Sequence, residues 1–150
     1  MLTFRQAEET DLETIVDLLA DDPLGKKREQ AVRPIPLCYK KAFAAVQGDP
    51  NHELIVACEG EEVIGCMQLS FLPGLTYQGG WRMQLEGVRV SVDARGRGIG
   101  TRMLAYAVDR AKKRGCVLVQ LTTDKQRPRA LHFYMRQGFQ ATHEGLKYFF

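Results

Sequence analysis

The hydrophobic alternation of residues 82–92 changes phase partway along the segment. Its apolar residues stand at odd positions before Gly87 and at even positions after it, and they are Met83, Leu85, Val88, Val90 and Val92. Successive side chains of a strand point to opposite faces, so a regular strand cannot change phase and still keep one face in the core. The segment therefore predicts a strand with a β-bulge at residues 86–88.

A bulge at this place bears on ligand binding as well as on the strand. Bulges splay neighbouring strands and leave backbone N–H and C=O groups unpaired. An extended ligand that carries amide groups of its own can pair with such a strand. An edge irregularity without function is the alternative, and the segment alone leaves both interpretations open.

A glycine-rich turn, residues 95–100, follows this strand and leads into a predicted helix. Glycines let backbone N–H groups approach an anion closely, the helix N-terminus adds the positive end of its dipole, and Arg95 and Arg97 add full charge. A pyrophosphate would fit this turn, whereas a merely flexible turn is the alternative. The turn is not a P-loop, because it lacks the Lys-Ser/Thr pair, and it does not open a dinucleotide-binding βαβ unit.

The other segments predict a mixed α/β sandwich. Strand-like patterns cover residues 2–6, 53–58, 63–72 and 117–121, and a last strand begins at Phe139. Helical patterns cover residues 37–47, 98–114 and 128–137, and another helix follows Thr10. The connection 59–62 predicts a hairpin, and the strand–helix–strand order of 82–121 predicts a parallel crossover.

Two local signals refine the N-terminal half. Thr10 and Glu13 match a capping box, which places the start of the first helix there. The Asp, Pro and Gly residues of 21–25 predict its end. The basic run 26–28 is typical of a solvated loop.

The composition is that of an ordinary globular domain. The chain has 150 residues, of which 45% are hydrophobic and 26% are charged, and no repeat or linker divides it. We therefore expect a single domain over residues 1–150. The net charge of +3 is too small for a dedicated nucleic-acid binder, and polar and Gly/Pro residues interrupt the one long uncharged stretch, 63–81, too often for a membrane helix.

The four cysteines form no C-x-x-C pair. Cys58 and Cys66 lie in apolar runs typical of packed thiols, and the N-terminal residues do not resemble a signal peptide. We therefore expect a reduced, cytoplasmic protein.

Because of its predicted bulged strand and glycine-rich turn, the sequence resembles the GNAT superfamily of acetyl-CoA-dependent N-acetyltransferases. The phosphate loop of that family reads Q/R-x-x-G-x-G/A, which Arg95, Gly98 and Gly100 match directly after the predicted bulged strand. A downstream A-x-x-F-Y-x-x-x-G-F element is matched by Ala130, Phe133, Tyr134, Gly138 and Phe139. The family often has Asn three residues before that Ala, where this chain has Arg127, so that contact to the cofactor is not carried over.

The resemblance implies an α+β GNAT fold. Its mixed, mostly antiparallel central sheet would have six or seven strands, splayed at the fourth strand by the bulge, together with four helices. The resemblance also implies acetyl-CoA as co-substrate and no metal. Val88 and Val90 would offer backbone groups to the pantetheine arm, and the pyrophosphate would be held by Arg95, Gly96, Arg97, Gly98, Ile99, Gly100 and Thr101.

Two side chains are candidates for proton transfer. The resemblance implies that Tyr134 protonates the departing CoA thiolate, and a phenol with a pKa of about 10 is a donor at neutral pH. A primary amine with a pKa of about 10.4 must lose a proton before it attacks, so a base is needed. Glu86 stands at the predicted bulge, where family members often use a carboxylate. The alternatives are a packed tyrosine and a carboxylate that only orients the acceptor.

The three histidines point to no metal site. His52 and His143 make no ligand spacing with cysteine or acidic residues. His132 adjoins the tyrosine element, but its helical phase differs from that of Tyr134, so we expect a surface histidine.

We expect an enzyme that moves an acetyl group from acetyl-CoA to a primary amine of a small molecule, by direct attack in a ternary complex. Two alternatives are acetylation of peptide N-termini or lysines, and a non-catalytic acyl-CoA-binding module. Acceptor specificity would come from residues 21–36 and 72–81, where the resemblance transfers nothing residue by residue. Neither a nucleic acid nor a membrane is an expected partner, and a homodimer would be in keeping with the family.

Overall fold

The computed structural model describes all 150 residues, and the chain forms two compact units. The first unit is Met1–Gln120 and holds the whole β-sheet with five helices. The second unit is Leu121–Phe150 and holds one helix. No helix is both long enough and apolar enough to cross a membrane.

The helices and strands follow one another in an alternating order. They are β1 (Leu2–Gln6), α1 (Leu12–Ala20), α2 (Pro23–Arg28), α3 (Leu37–Gln47), β2 (His52–Glu59), β3 (Glu62–Leu72), α4 (Thr76–Gly79), β4 (Arg82–Val90), α5 (Ile99–Lys113), β5 (Leu118–Gln120) and α6 (Pro128–Arg136). The predicted first strand and second helix are confirmed to the residue, and the other predicted helices and strands before Phe139 lie within two residues of the observed bounds.

The five strands form one sheet in sequence order, from β1 to β5. The pairs β1–β2, β2–β3 and β3–β4 are antiparallel, and β4–β5 is parallel. The predicted hairpin is the β2–β3 pair, and the predicted crossover is β4–α5–β5. Both predictions are confirmed, as is the mixed, mostly antiparallel character of the sheet.

The prediction of six or seven strands was wrong, because no strand begins at Phe139. Residues 139–150 form no ladder with any strand, and a strand is stable only as part of one. The last residues of the chain are accordingly exposed, although several of them are large and apolar.

Four helices were predicted, but the structure has six, because α2 and α4 were not predicted. Residues 26–28 are exposed, as expected, but they belong to α2 and not to a loop. The Asp22 carboxylate caps α2 by accepting from the Gly25 N–H at 2.5 Å, and Pro23 occupies the first turn. The second addition, α4, is a four-residue turn in which Tyr77 and Gln78 adopt left-handed φ values of 54° and 57°.

The capping box lies two residues earlier than the sequence predicted. A short 3-10 turn, Glu9–Asp11, precedes α1, and Asp11 accepts from the Glu8 N–H at 2.7 Å. Thr10 makes no such cap. Arg5 on β1 determines this arrangement, because its guanidinium holds the buried Asp11 carboxylate through two hydrogen bonds of 2.7 and 3.0 Å.

The core of the first unit consists of both faces of the central strands and the apolar faces of the long helices. In α5 the predicted apolar positions are all buried, and they are Ile99, Met103, Ala107 and Ala111. In α1 the buried positions are Leu12, Ile15, Val16 and Leu18. Strands β3 and β4 supply the most deeply buried side chains, among them Met67, Leu69, Phe71, Met83 and Leu85. This packing fixes α1 and α5 beside β4, the strand with the predicted bulge.

Candidate active site

Strand β4 carries the predicted bulge. Glu86 pairs with Gln68 and Arg89 pairs with Cys66, so two residues of β4, Gly87 and Val88, oppose a single residue of β3. Gly87 has a φ of +60°, which a side chain would strain. A Cβ at Gly87 would also lie 3.3 Å from the side chain of Leu19 on α1. Backbone conformation and helix packing therefore both favour glycine here.

The sheet opens between β4 and β5. Only the first three residues of β4, Arg82 to Gln84, pair with β5. At the last pair, the Gln120 amide donates from Nε2 to Oε1 of Gln84 at 2.8 Å. From Leu85 onward no strand pairs with β4 on this side, so a gap begins just before the bulge.

Backbone groups of β4 face this gap. The Ser91 N–H donates to the Ile64 carbonyl at 2.7 Å, which makes Gly65 and Val90 a non-hydrogen-bonded pair. The N–H and C=O of Val90 therefore point away from β3, toward the side on which β5 pairs. Val88 lies two residues earlier on the same strand and shares this direction.

Arginine side chains reach both of these carbonyl groups. The Val90 carbonyl accepts from Nε of Arg95 at 3.2 Å, and the Val88 carbonyl accepts from Nη1 of Arg89 at 2.9 Å. The first contact joins the glycine-rich turn to the end of β4. The structure thus brings together two features that the sequence analysis predicted separately.

The glycine-rich turn has the conformation that its sequence predicts. Gly96 and Gly98 both have a φ of +76°, and a Cβ at either would meet nothing within 4 Å. Glycine is therefore required here by the backbone conformation and not by crowding. Helix α5 starts directly afterwards, and its first internal hydrogen bond runs from the Arg102 N–H to the Gly98 carbonyl at 3.2 Å. The N–H groups of the first turn thus point out of this end of the helix.

Carboxylates hold the two arginines of the turn. Nη2 of Arg97 lies 2.5 Å from Oε1 of Glu59, and Nη2 of Arg95 lies 3.9 Å from Oδ2 of Asp21. Both arginine side chains are about half exposed, at 53% and 51%. No local sequence signal marks Glu59 and Asp21 for this role, because each pair joins residues far apart in sequence.

Glu86 is exposed and its carboxylate makes no hydrogen bond or ion pair with the protein. Its position next to the bulge agrees with the sequence prediction. The base role that the sequence analysis gave it stays a prediction.

Tyr134 lies on α6, in the second unit, and is half-buried. Its ring meets the rings of Phe133 and Phe139 edge-on, with centroids 5.4 and 5.8 Å apart. The carbonyl of Tyr134 accepts from the Phe139 N–H at 3.1 Å, and Gly138 supplies the φ of +99° that ends the helix. The residues of the predicted tyrosine element therefore form one local cluster. His132 is exposed, as predicted.

A cavity of about 530 Å³ lies in the first unit, between α1, α2 and the beginning of β3. Four carboxylates line it, from Asp17, Asp21, Glu29 and Glu62, and its one basic lining residue is Lys26. Ser91, which directly follows β4, also lines it. The cavity is therefore acidic and adjoins the C-terminal end of the bulged strand.

The structure contains no group of three or more His, Cys, Asp or Glu side chains that could hold a metal ion. Cys58 and Cys66 are buried free thiols, as predicted. Burial raises the pKa of Cys66 to about 12, so this thiol is not a nucleophile at neutral pH.

The sequence matches the family model described as Acetyltransferase (GNAT) family over residues 12–139. The aminoalkylphosphonate N-acetyltransferase of Salmonella typhimurium is 31% identical over 105 residues, which cover 70% of this chain and 68% of that protein. A crystal structure described as a transcriptional regulator from Bacillus halodurans C-125 is 56% identical, and the match has a TM-score of 0.97 and covers 100% of both chains.

A more distant structure, a predicted acetyltransferase from Clostridium acetobutylicum crystallised with acetyl-CoA, shares the fold. It is 24% identical, with a TM-score of 0.75 over 99% of this chain and 96% of that one. The range of the family match contains the bulged strand, the glycine-rich turn and the helix with Tyr134. The chain therefore belongs to the GNAT acetyltransferase family.

Proposed function

We propose that the protein is an acetyl-CoA-dependent N-acetyltransferase that acetylates a primary amine of a small molecule. The observation that carries this proposal is the gap between β4 and β5, which begins next to the bulge and is joined to the glycine-rich turn by Arg95. The activity named for the Salmonella relative supports the same reaction class. Because the family match runs through both units, we treat residues 1–150 as one acetyltransferase domain.

The chain offers acetyl-CoA two kinds of contact. The backbone groups of Val88 and Val90 that face the gap would pair with the amides of the pantetheine arm, as an added strand would. The turn and the first turn of α5 would hold the pyrophosphate with N–H groups, the helix dipole and two positive charges. The residues involved would be Arg95, Gly96, Arg97, Gly98, Ile99, Gly100 and Thr101. The left-handed glycines and the open space around them fit this role.

The transfer itself is direct. The cationic amine first loses one proton, and we assign its removal to the carboxylate of Glu86, directly or through water. The neutral nitrogen then forms the new C–N bond as the C–S bond breaks, and it releases a second proton to solvent while the thiolate gains one. We assign donation to the thiolate to the phenol of Tyr134, because a phenol, with an ordinary pKa of about 10, is a proton donor at neutral pH. Proximity and polarisation in the ternary complex supply the remaining acceleration.

The acidic cavity between α1 and α2 would attract the acceptor to this side of the sheet. The cavity ends at Ser91 and does not include Glu86, so the reacting amine itself would lie beyond its lining. The cavity volume of about 530 Å³ lies within the range of small-molecule sites. The carboxylates of Asp17, Asp21, Glu29 and Glu62 favour a cationic amine over an anionic one. A diamine or amino sugar should therefore be a better acceptor than an aminoalkylphosphonate, the substrate class named for the Salmonella relative.

The decisive experiment is an acceptor screen that follows release of free CoA thiol from acetyl-CoA. The panel contains diamines, amino sugars, an aminoalkylphosphonate, and peptides with free N-termini or lysines. Turnover with a small amine, reduced in Tyr134→Phe, supports the proposal. Turnover with peptides alone would favour a protein acetyltransferase.

Binding of acetyl-CoA without turnover on any acceptor would instead identify an acyl-CoA-binding module. Calorimetry with acetyl-CoA, run beside the screen, separates this outcome from a protein that does not bind the co-substrate at all.

A further inference from the structure

The two faces of the sheet differ in polarity at the end of β3 and the start of β4. The face that packs against α5 is apolar there, with the buried side chains Leu69, Phe71, Met83 and Leu85. The opposite face carries polar residues on four neighbouring strands, and we call them the polar patch: His52, Gln68, Ser70, Gln84 and Gln120.

The strand register places the members of the polar patch on one face. His52 pairs with Ser70, Ser70 with Gln84, and Gln84 with Gln120. Residues directly opposite each other on neighbouring strands share a face. Gln68 lies two residues before Ser70 on β3 and therefore shares it as well. A sheet face that serves packing alone would be apolar at these positions, so the patch calls for another explanation.

The polar patch lies beside the candidate base. Glu86 pairs directly with Gln68, and Gln84 lies two residues before Glu86 on the same face of β4. Such residues are about 7 Å apart along a strand. The side chains of Gln68, Gln84 and Gln120 are only half-buried. A small molecule bound on the patch can therefore reach Glu86 with its amine.

Hydrogen bonds within the polar patch orient its amides. Oγ of Ser70, which is 6% exposed, lies 2.8 Å from Nδ1 of His52 and accepts from Nε2 of Gln68 at 3.3 Å. Nε2 of Gln120 donates to Oε1 of Gln84 at 2.8 Å. These bonds leave Oε1 of Gln68, Oε1 of Gln120 and the Nε2 hydrogens of Gln84 open to a ligand. The patch thus presents acceptors and donors side by side.

The charges around the polar patch limit the kind of ligand. No lysine or arginine belongs to the patch. Arg82, the next residue along this face of β4, donates from Nη2 to Oγ1 of Thr76 at 2.9 Å, so it is held at the loop after β3. The ligand group that fits is therefore uncharged. A hydroxyl both donates and accepts, so it can pair with a glutamine oxygen and with a glutamine N–H.

We propose that the polar patch binds hydroxyl groups of the acceptor, so that the substrate is a hydroxylated primary amine such as an amino polyol or an amino sugar. Gln68 and Gln84 are the specificity-determining residues. This inference rests on the proposed acetyl transfer and narrows its acceptor. The acidic cavity attracts any cationic amine, whereas the patch distinguishes a hydroxylated amine from a plain diamine. The diamine has no acceptor for the N–H groups of Gln84, which would stay unpaired.

The test compares two acceptors, 2-amino-1,3-propanediol and 2-aminopropane, which lacks both hydroxyls. The wild type should have a kcat/KM that is about tenfold or more higher for the diol, measured by release of CoA thiol. Gln84→Met keeps the length of the side chain without its hydrogen-bonding groups. It should raise KM for the diol and lower the ratio of the two kcat/KM values by about tenfold. The amines also differ in pKa, but this difference cancels when the ratios of the two proteins are compared.

Gln68→Met should have the same effect, and it serves if Gln84→Met does not fold. The matched control is Gln47→Met, which changes an exposed glutamine at the end of α3 and should keep the wild-type ratio. All variants should bind acetyl-CoA as the wild type does in calorimetry. A ratio that both patch variants leave unchanged would overturn the inference. So would a preference for 2-aminoethylphosphonate that is lost in Arg82→Ala.

Direct binding separates the failure of this inference from the failure of the proposed function. Calorimetry with the diol, glucosamine and 2-aminopropane is run on protein saturated with CoA. If no amine is turned over, binding of the hydroxylated amines that is lost in Gln84→Met would support the patch and refute the transfer. Turnover without a preference for hydroxyls would refute the patch alone. No binding of either hydroxylated amine, together with no turnover, would overturn both.

Discussion

The guanidinium of Arg95 donates from Nε to the carbonyl of Val90 at 3.2 Å, which links the glycine-rich turn to the end of the bulged strand. The same carbonyl belongs to a residue whose backbone groups point away from β3. Arg95 therefore stands where the pantetheine and pyrophosphate portions of CoA would meet in the proposed complex.

Arg95→Ala should weaken CoA binding by about tenfold or more, because a hydrogen bond to a charged group contributes about 1.5–3 kcal/mol. Acetyl-pantetheine, which lacks the pyrophosphate, should lose much less affinity. Calorimetry with both ligands measures the difference. Lys113→Ala, which removes a positive charge at the other end of α5, should bind CoA as the wild type does. Equal losses for the two ligands would argue against the phosphate contact.

Gly98→Val should abolish measurable CoA binding in a protein that is still folded. Valine is strained at a φ of +76°, and its side chain would stand where the phosphate must approach the backbone. Gly60→Val is the matched control, because Gly60 also has a positive φ and open surroundings but lies in the β2–β3 turn. Both variants should lose about 1–3 kcal/mol of stability in urea unfolding, whereas only Gly98→Val should lose CoA affinity. Unchanged affinity in Gly98→Val would refute the proposed loop.

Tyr134→Phe should lower the turnover rate by about 10² to 10⁴, because the phenolic donor is lost while the ring is kept. Affinity for acetyl-CoA should stay nearly unchanged. Steady-state kinetics with an acceptor from the screen, together with calorimetry, test both expectations. Tyr106→Phe, which removes a hydroxyl from the ring stacked on Phe4, should turn over like the wild type. Full activity in Tyr134→Phe would end the assignment of the general acid.

Glu86→Gln should change the acidic limb of the pH–rate profile, because the amide cannot accept the acceptor's proton. The variant should recover in part at high pH, or with an acceptor amine of lower pKa that is already neutral. If Glu86 only orients the acceptor, KM should rise while the profile keeps its shape. Matched profiles of wild type, Glu86→Gln and Glu61→Gln, an exposed glutamate in the β2–β3 turn, decide between the two roles.

Asp11→Asn should destabilise the protein at neutral pH by about 1–3 kcal/mol, because a part-buried, charge-assisted pair with Arg5 is lost. The hydrogen bond from Arg5 holds the pKa of Asp11 below its usual value, with a further contribution from the Glu8 N–H. A lowered pKa in the folded state stabilises the protein above the unfolded pKa of about 3.9, and this stability is lost as pH falls through the folded value. The difference between wild type and variant in urea unfolding should therefore be full at pH 7 and shrink in acid. An equal difference at both pH values would contradict the linkage.

Local patterns in the sequence predicted the parts of the fold that local physics determines. The phase change at Gly87 required a bulge, because a two-residue repeat cannot otherwise change faces, and the structure has the bulge there. The spacing of Ile99, Met103, Ala107 and Ala111 likewise predicted the buried face of α5. These signals lie within a few residues of the features that they specify.

The features that the sequence did not predict depend on distant partners. The first helix is preceded by an extra 3-10 turn because Arg5, on another element, holds Asp11. The ion pairs of Arg95 with Asp21 and of Arg97 with Glu59 are likewise invisible in a local pattern. The strand predicted at Phe139 does not form, because a strand needs a hydrogen-bonded partner and no strand of the sheet pairs with residues 139–150.

The ion pairs of the glycine-rich turn mean that this loop carries its own counterions. When an anionic ligand binds, it replaces Asp21 and Glu59 as well as dissolved ions. Added salt weakens the internal pairs and the ligand contacts alike, because both are partly exposed to solvent. Binding to this turn should therefore depend less steeply on ionic strength than binding to a loop whose arginines face water alone.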